Sequence, residues 1–247
     1  MNGHWRIERS SLGRVLLPPE LGLPFFLFYT AVDFSGMLDT PARHALGAFM
    51  GQRFNTEASL VSCHQVHGVE AHRVSGMESP GEPSRCDALF TFQSEVALGI
   101  KVADCLPVTL VDPELHLIAN IHSGWRGAAG EIVRRTFDAA WDDGKPTGTL
   151  AFFGPSIRSC CLEVGEEVVE AFQLRFPDID KYLDRGRGVR PYLDIPSVTR
   201  DVLSDRGISR IFDSEICTRC AGSMFHSYRR DGAGSGRNLA IAALKSQ

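Results

Sequence analysis

The sequence lacks both a long apolar run and a surplus of positive charge. No stretch of its 247 residues approaches the roughly 18 to 20 apolar residues that a membrane-spanning helix needs. Acidic residues outnumber basic ones, for a formal net charge of -4, so there is no cationic excess to hold a nucleic-acid backbone. We therefore expect neither a membrane nor a nucleic acid as a partner.

The sequence also indicates no secretory leader, and its cysteines are odd in number. The N-terminal residues (MNGHWRIERSSLGRVLLPPELGLPFF) interrupt every apolar stretch with charge, proline or glycine, unlike a signal peptide. The seven cysteines are unevenly spaced, whereas secreted disulfide frameworks favour short chains with paired cysteines. We expect a cytoplasmic protein with reduced thiols.

Common catalytic signatures are absent as well. The chain has no G-x-S-x-G segment, which argues against a hydrolase serine, and no G-x-x-x-x-G-K-[ST] loop for phosphates. The segment 232–237 (GAGSGR) does not match the dinucleotide-binding fingerprint. We interpret it as a flexible loop, and Arg229, Arg230 and Arg237 around it as an exposed, solvated cluster.

Two close cysteine spacings invite a metal assignment that the remaining sequence does not support. Cys217 and Cys220 form a C-x-x-C pair, and Cys160 and Cys161 are adjacent. A zinc ribbon needs a second C-x-x-C, and a nucleotide deaminase needs an H-x-E segment; the chain has neither. We therefore interpret these four residues as packed thiols.

The spacing of apolar residues predicts strands mixed with helices. Aliphatic and β-branched runs favour strands at 97–102, 107–111, 117–121 and 150–153. Three- and four-residue spacing favours helices at 128–141, 165–176 and 197–206. Loop-forming residues concentrate at 76–86, 142–148, 184–191 and 231–237, each too short for a linker. We expect a single domain over residues 1–247, of the α/β class and built as an α+β layered sandwich.

Three side chains are candidate metal ligands. His67 lies in CHQVHGVE, Cys105 lies between two predicted strands in KVADCLPV, and His122 ends a predicted strand in ANIHSGWRG. Two imidazoles and one thiolate suit Zn²⁺, and three protein ligands leave a fourth position open, as in catalytic zinc sites. Their wide separation matches no short metal motif, so ordinary core or surface histidines are the alternative interpretation.

The segment 123–127 (SGWRG), which follows His122, has features of an anion site. Backbone N–H groups at a helix start, two glycines that permit close approach and the guanidinium of Arg126 together favour an anion such as phosphate. The alternative is a glycine-rich turn in which Trp125 packs on the core and Arg126 pairs with a carboxylate.

Several segments, taken in order, resemble one family. They are HQVHG (64–68), CDALFT (86–91), ALGIKVADCLPV (97–108), IHSGWRGAAGEIV (121–133), FFGPSIRSCCLEVG (152–165), EICT (215–218) and FHSYRRDGAGSGRNL (225–239). They are similar to the YfiH-like family, also called laccase-domain or polyphenol-oxidase-type proteins, over roughly residues 60–240. The H-S-G-W-R-G segment preceded by A-D-C is the most specific part of the resemblance.

The resemblance implies a layered α/β fold, with sheets between helices, related to that of cysteine hydrolases. It implies zinc on the histidine of Q-x-H-G, the cysteine of A-D-C and the histidine of H-x-G-W-R-G, which are His67, Cys105 and His122 here. It further implies phosphorolysis of adenosine, inosine, guanosine and methylthioadenosine, with adenosine deamination as a second activity.

Residue roles follow from that implied chemistry. Cleavage of an N-glycosidic bond passes through an oxocarbenium-like state and needs a phosphate held beside the sugar. Contacts to phosphate or nucleoside are expected from Arg126, Gly127 and Gln65. The catalytic candidates are Cys105, His122 and the adjoining acid Asp104, which we expect to assist the leaving purine.

Other functions compete with this one. A copper-dependent polyphenol oxidase, the older family label, needs more paired histidines than the eight scattered ones in this chain. A cysteine-hydrolase-like cell-wall editing protein would use Cys105 as nucleophile and His122 as base. Residues 28–50 also lack the family's T-x-R-x-G-G-V-S segment, so an altered preference or lost activity is a further alternative. The preferred purine and the oligomeric state stay open.

Overall fold

The computed structural model describes residues 4–31, 40–76, 84–141, 146 and 148–245. In these ranges the chain forms two six-stranded sheets, one two-stranded ribbon and a set of helices. Much of the predicted loops at 76–86 and 142–148, and part of the N-terminal departure at 28–50, lie outside the described residues.

The first sheet is mainly antiparallel and joins the two ends of the chain. In spatial order it contains β1 (Arg6–Ser10), β2 (Gly13–Leu17), β3 (Phe25–Thr30), β14 (Asn238–Leu244), β7 (Val96–Val102) and β4 (Ser59–Ser62). The edge strand β4 runs parallel to β7. Helix α1 (Thr40–Phe54) covers the outer face of this sheet, where Leu46, Phe49 and Met50 are buried against its strands.

The second sheet carries the helices of the C-terminal half on its outer face. In spatial order it contains β13 (Ile211–Asp213), β10 (Leu150–Phe153), β8 (Leu106–Asp112), β9 (Leu117–Ser123), β6 (Ala88–Thr91) and β5 (Ala71–Arg73). The helices against it are α2 (Trp125–Ala129), α3 (Ile132–Ala140), α4 (Glu166–Gln173) and α5 (Ile195–Ser204). A ribbon of β11 (Leu183–Asp184) and β12 (Tyr192–Leu193) and the short helix α6 (Tyr228–Asp231) complete the elements.

Three apolar clusters separate four layers. One fills the space between α1 and the first sheet, one lies between the two sheets, and one lies between the second sheet and its helices. The order helix, sheet, sheet, helices confirms the predicted α/β layered sandwich. No helix in the described ranges combines the length and the apolar character that a bilayer crossing requires. A single domain over all of residues 1–247 stays a prediction.

The predicted strands are confirmed and the helix boundaries need correction. β7 to β10 match the four predicted runs to within two residues at each end. The helix predicted at 128–141 is two helices, because Glu131 takes a left-handed φ of 61°. The helix predicted from 197 begins at Ile195 instead, since Asp194 caps it and proline is tolerated in a first turn.

A buried carboxamide links the two sheets across their apolar interface. Asn120 on β9 is fully buried, and its Nδ2 donates to the carbonyls of Leu98 and Ala240 in the first sheet, each at 3.0 Å. Its Oδ1 accepts a hydrogen bond from Thr109 Oγ1 at 3.1 Å. Every polar atom of this side chain therefore has a hydrogen-bond partner. These bonds fix the position of one sheet relative to the other.

Replacing that carboxamide is expected to destabilise the fold. Asn120→Ala leaves a cavity and removes three hydrogen bonds, so the free energy of unfolding should fall by about 2–4 kcal/mol in urea titrations. Gln52→Ala, an exposed carboxamide on α1, is the matched control and should change it by less than about 0.5 kcal/mol. Equal effects of the two substitutions would contradict the linking role of Asn120.

Candidate metal centre

Three strand ends meet at one edge of the second sheet. β9 runs antiparallel to both β6 and β8, so its C-terminal end lies beside their N-terminal ends. Asp87 directly precedes β6, and Cys105 directly precedes β8. His122 is the penultimate residue of β9 and pairs with Pro107 of β8. The pairing of three strands therefore brings side chains from distant parts of the chain together.

The three candidate ligands are brought within reach of one ion. The ligand atoms of His67, Cys105 and His122 all lie within 4.8 Å of one another. The two imidazole rings are 4.7 Å apart between centroids and almost perpendicular, at 82°. His122 is buried, Cys105 is half-buried and His67 is exposed, so the group opens to solvent on the His67 side. A donor set of this kind can hold a metal with a position left for substrate.

A buried carboxylate that the sequence analysis missed holds two of these ligands. Asp87 Oδ1 lies 2.7 Å from His122 Nδ1, which directs Nε2 of that ring toward the other ligands. The same carboxylate accepts backbone N–H bonds from Val66, His67 and Gly68 at 2.7–3.1 Å. Three successive N–H groups converging on an anion explain how His67 keeps its left-handed φ of 59°.

The charges of the group favour a thiolate beside an imidazolium. Burial opposes ionisation of Cys105, but the charge of His122 and hydrogen bonds from both histidines outweigh it and lower the pKa of the thiol to about 6. Burial likewise disfavours the charged imidazole, yet the Cys105 thiolate and Asp87 raise the pKa of His122 to about 9. Without a metal, these shifts favour an ion pair between Cys105 and His122 at neutral pH.

The glycines of the 123–127 segment make room for ligands and backbone. A Cβ on Gly124 would lie 3.0 Å from Cys105 Sγ and 3.2 Å from His67 Cδ2. A Cβ on Gly127 would lie 3.1 Å from the carbonyl oxygen of Gly68, so this glycine packs the start of α2 against the His67 loop. α2 itself has only five residues.

Arg126 lies exposed at the start of α2. Its guanidinium stacks on the Trp125 ring, 4.3 Å from the centroid. Among the described residues it has no ion-pair partner, so the alternative of a carboxylate pair is not observed in this part of the chain. Trp125 packs partly buried against the core, as that alternative predicted.

Two other predicted site residues, Gln65 and Asp104, form hydrogen bonds with other parts of the protein through their side chains. The carboxamide of Gln65 donates to the carbonyl of Lys101 at 2.7 Å and accepts from its N–H at 2.9 Å, which extends the ladder beyond β4. Asp104, at φ 84°, accepts hydrogen bonds from Thr218 Oγ1 at 2.5 Å and from the Arg229 N–H at 2.6 Å. Both residues position neighbouring ligands, and their roles toward substrate stay predictions.

Arg229 and Arg230 are exposed as predicted and Arg237 is half-buried, but all three guanidinium groups bond to backbone carbonyls and do not form a merely solvated cluster. Arg229 donates to the carbonyl of Glu163 at 3.1 Å, and Arg230 donates to the carbonyl of Thr218 at 3.1 Å. Arg237 donates to the carbonyl of Ser235 within its own loop at 2.8 Å. The guanidinium groups of Arg229 and Arg230 therefore tie loops together, because they satisfy carbonyls that no strand or helix pairs.

The packed-thiol interpretation is wrong for two of the four clustered cysteines. Cys161 and Cys217 are buried, but Cys160 and Cys220 are exposed. All four sulfurs form a second group whose atoms lie within 4.8 Å of one another.

Fold and site together define a four-layer α/β protein with a thiolate and imidazole centre at one sheet edge. The family model described as "Multi-copper polyphenol oxidoreductase laccase" matches residues 43–245, and the chain belongs to this family. The match covers the three ligands and all strands from β4 to β14.

Relatives agree with that assignment, and a solved structure has the same fold. A purine nucleoside phosphorylase from Deinococcus radiodurans is 36% identical over 203 residues, 82% of this chain and 76% of that protein. "Adenosine deaminase RL5", from an unknown prokaryotic organism, is 36% identical over 157 residues, 62% of this chain and 60% of that protein. The crystal structure of the hypothetical protein YfiH from Bacillus licheniformis superposes with a TM-score of 0.84 at 24% identity, covering 99% of this chain and 100% of that one.

Cys105 is expected to react as a thiolate in metal-free protein. With a pKa of about 6, its alkylation rate should change by less than about twofold between about pH 9 and about pH 7, whereas an ordinary thiol slows about fiftyfold. Mass spectrometry of the peptide that carries Cys105, after timed iodoacetamide treatment, measures the rate. In His122→Ala the profile should move toward that of an ordinary thiol. An ordinary profile in the unaltered protein would rule out the ion pair.

Gly124→Ala is expected to weaken metal binding. The added Cβ would press on Cys105 Sγ at 3.0 Å and on His67 Cδ2 at 3.2 Å, so metal affinity at this centre should fall at least about tenfold in a chelator competition titration. The control is Gly47→Ala on α1, where a Cβ meets nothing within 4 Å. Unchanged metal affinity in Gly124→Ala would show that the close packing of residue 124 against Cys105 and His67 does not constrain the ligands.

Proposed function

We propose that this chain is a zinc-dependent purine nucleoside phosphorylase with adenosine deamination as a second activity. The observation that carries the proposal is the convergence of His67, Cys105 and His122 with one side open to solvent. Relatives named purine nucleoside phosphorylase and adenosine deaminase support nucleosides as the substrate class. A cytoplasmic location, with purine nucleosides and phosphate as the partners, completes the proposal.

The donor set fits zinc. One thiolate and two imidazoles give a borderline-soft site with three protein ligands, and Asp87 orients the His122 ring from behind. The other group of potential ligands in the described ranges is all sulfur, unlike the imidazole clusters that oxygen-reducing copper needs. A zinc ion held by these residues would supply Lewis-acid polarisation of a bound substrate oxygen.

Arg126 is the proposed phosphate ligand. Phosphorolysis breaks the bond from C1′ to the purine nitrogen and forms a bond from C1′ to a phosphate oxygen, while the purine takes up a proton. The Arg126 guanidinium is exposed two residues after Gly124, where an added Cβ would meet Cys105 and His67, and its stacking on Trp125 limits its motion. A cation fixed in this way can hold the phosphate dianion at the developing positive charge on the sugar.

The remaining predicted residues have supporting roles in this proposal. Asp104 is proposed to assist the leaving purine, and the hydrogen bonds that its carboxylate accepts from Thr218 and Arg229 fix it at the turn that carries Cys105. Gln65 and Gly127 are proposed to shape the nucleoside pocket through the His67 loop, to which both are attached.

A second candidate is a cysteine hydrolase, and one specific observation favours it. Cys105, His122 and Asp87 follow one another as thiolate, imidazolium and orienting carboxylate, which is the order of a catalytic triad. In this alternative the metal would inhibit the enzyme, since it would occupy the nucleophile.

Phosphate-dependent cleavage of inosine is expected from the zinc-loaded chain. Hypoxanthine and ribose 1-phosphate should form together, and His122→Ala should lower the rate at least about a hundredfold because the centre loses an imidazole. Arg126→Ala should raise the KM for phosphate about tenfold, with zinc content unchanged, because a charge-assisted contact is lost. Liquid chromatography of the products, with and without phosphate, measures both effects.

The controls separate the alternatives. Arg9→Ala removes an exposed arginine on β1 and should leave the KM for phosphate unchanged. Zinc-loaded protein that yields no hypoxanthine would defeat the phosphorylase proposal. Hydrolytic activity that appears only after zinc is removed, and that is lost when Cys105 is alkylated, would favour the hydrolase. Stoichiometric copper with phenol turnover would favour the oxidase.

A further inference from the structure

Four cysteine sulfurs converge outside the centre described above. Cys160 and Cys161 lie in the loop that follows β10, and Cys217 and Cys220 lie in the loop that follows β13. β10 and β13 pair in parallel, so the two loops leave the second sheet at the same edge. Their four Sγ atoms all lie within 4.8 Å of one another.

The distances fit an ion held among the sulfurs. Cys161 Sγ lies 3.3 Å from Cys220 Sγ, and Cys160 Sγ lies 3.8 Å from the same atom. A tetrahedron of sulfurs around zinc, with Zn–S bonds of about 2.3 Å, has edges of about 3.8 Å. A disulfide needs about 2.05 Å. The group is therefore spaced as a coordination sphere and not as a bonded pair.

The backbone fixes the two loops before any ion is bound. Ser156 and Cys217 form a parallel bridge, in which the Thr218 N–H donates to the Ser156 carbonyl at 3.0 Å. The C-x-x-C segment closes as a turn, with the Ala221 N–H donating to the Cys217 carbonyl at 2.9 Å. Because these bonds involve only the main chain, all four thiols stay available as ligands.

The surroundings suit a charged sulfur cluster. Four thiolates around a divalent cation carry a net negative charge, and the Arg219 guanidinium lies 3.5 Å from Cys161 Sγ. Cys161 and Cys217 are buried, whereas Cys160 and Cys220 are exposed and give an ion a route from solvent. Two exposed, unbound thiols beside two buried ones would otherwise be a liability to oxidation.

We propose that Cys160, Cys161, Cys217 and Cys220 bind a second zinc ion as a closed, structural site. Four sulfur ligands in a tetrahedron leave no position for substrate, so this ion stabilises the fold and takes no part in the reaction. It does not depend on the function proposed for the first centre.

The second site braces the first one. Thr218, inside the C-x-x-C segment, donates to the Asp104 carboxylate. The Arg229 guanidinium donates to the Cys161 carbonyl at 3.3 Å, while its N–H donates to Asp104. Both loops of the second site are thus attached to the turn that carries Cys105.

Metal analysis of the full chain purified under reducing conditions tests the proposal. The unaltered protein should contain about two zinc ions, and Cys217→Ser/Cys220→Ser should contain about one and lose thermal stability. Cys105→Ala should also contain about one, because it removes the other ion. Cys63→Ser changes a buried thiol outside both groups and should keep about two.

A measurement on the unaltered protein keeps the test valid if a variant fails to fold. Cobalt substitution should give the intense absorption of a tetrahedral four-thiolate site in wild type and in Cys105→Ala. A single zinc ion that Cys105→Ala abolishes would overturn the proposal. A disulfide among the four cysteines in protein freshly purified under reducing conditions would also overturn it, and so would iron bound at this site in place of zinc.

Discussion

The carboxylate of Asp87 is the constraint on which the metal centre depends. It is completely buried, and burial alone would raise its pKa, yet the hydrogen bonds from His122 and from the backbone of Gly68 and Val66 hold that pKa below its usual value. A charge of this kind is tolerated in a core only when every lone pair is used. It therefore ties the loop of His67 and the strand of His122 to the start of β6. The positions of both imidazoles are in this way fixed by the same side chain.

The fold was predictable where the core is aliphatic and continuous. β7 to β10 are buried on both faces, and their runs of valine, leucine and isoleucine indicate strands directly. β14 (NLAIAAL) is just as buried, but alanine favours helices, so the sequence analysis found no strand there. The break between α2 and α3 at Glu131 is also invisible locally, and so is the need for glycine at position 130, where an added Cβ would lie 2.5 Å from Val69 Cγ1.

The site was predictable in chemistry and not in geometry. Residue types and the family resemblance identify His67, Cys105 and His122, but only the pairing of β9 with its two neighbours explains why they meet. Asp87 was overlooked because an acid before an apolar run looks like an ordinary strand start. The four-cysteine group was overlooked because its two halves belong to loops that only the parallel pairing of β10 and β13 aligns.

One edge of the second sheet thus supplies nearly all of the chemistry, whereas β1 to β3 and α1 supply none of the metal-binding side chains. β1 to β3 lie in the first sheet and α1 packs on its outer face, so the core between the sheets lies between these elements and the second sheet. Substitutions in the N-terminal third can consequently leave the donor atoms unchanged. Lineages that share one inorganic chemistry are in this way free to diverge in what they recognise.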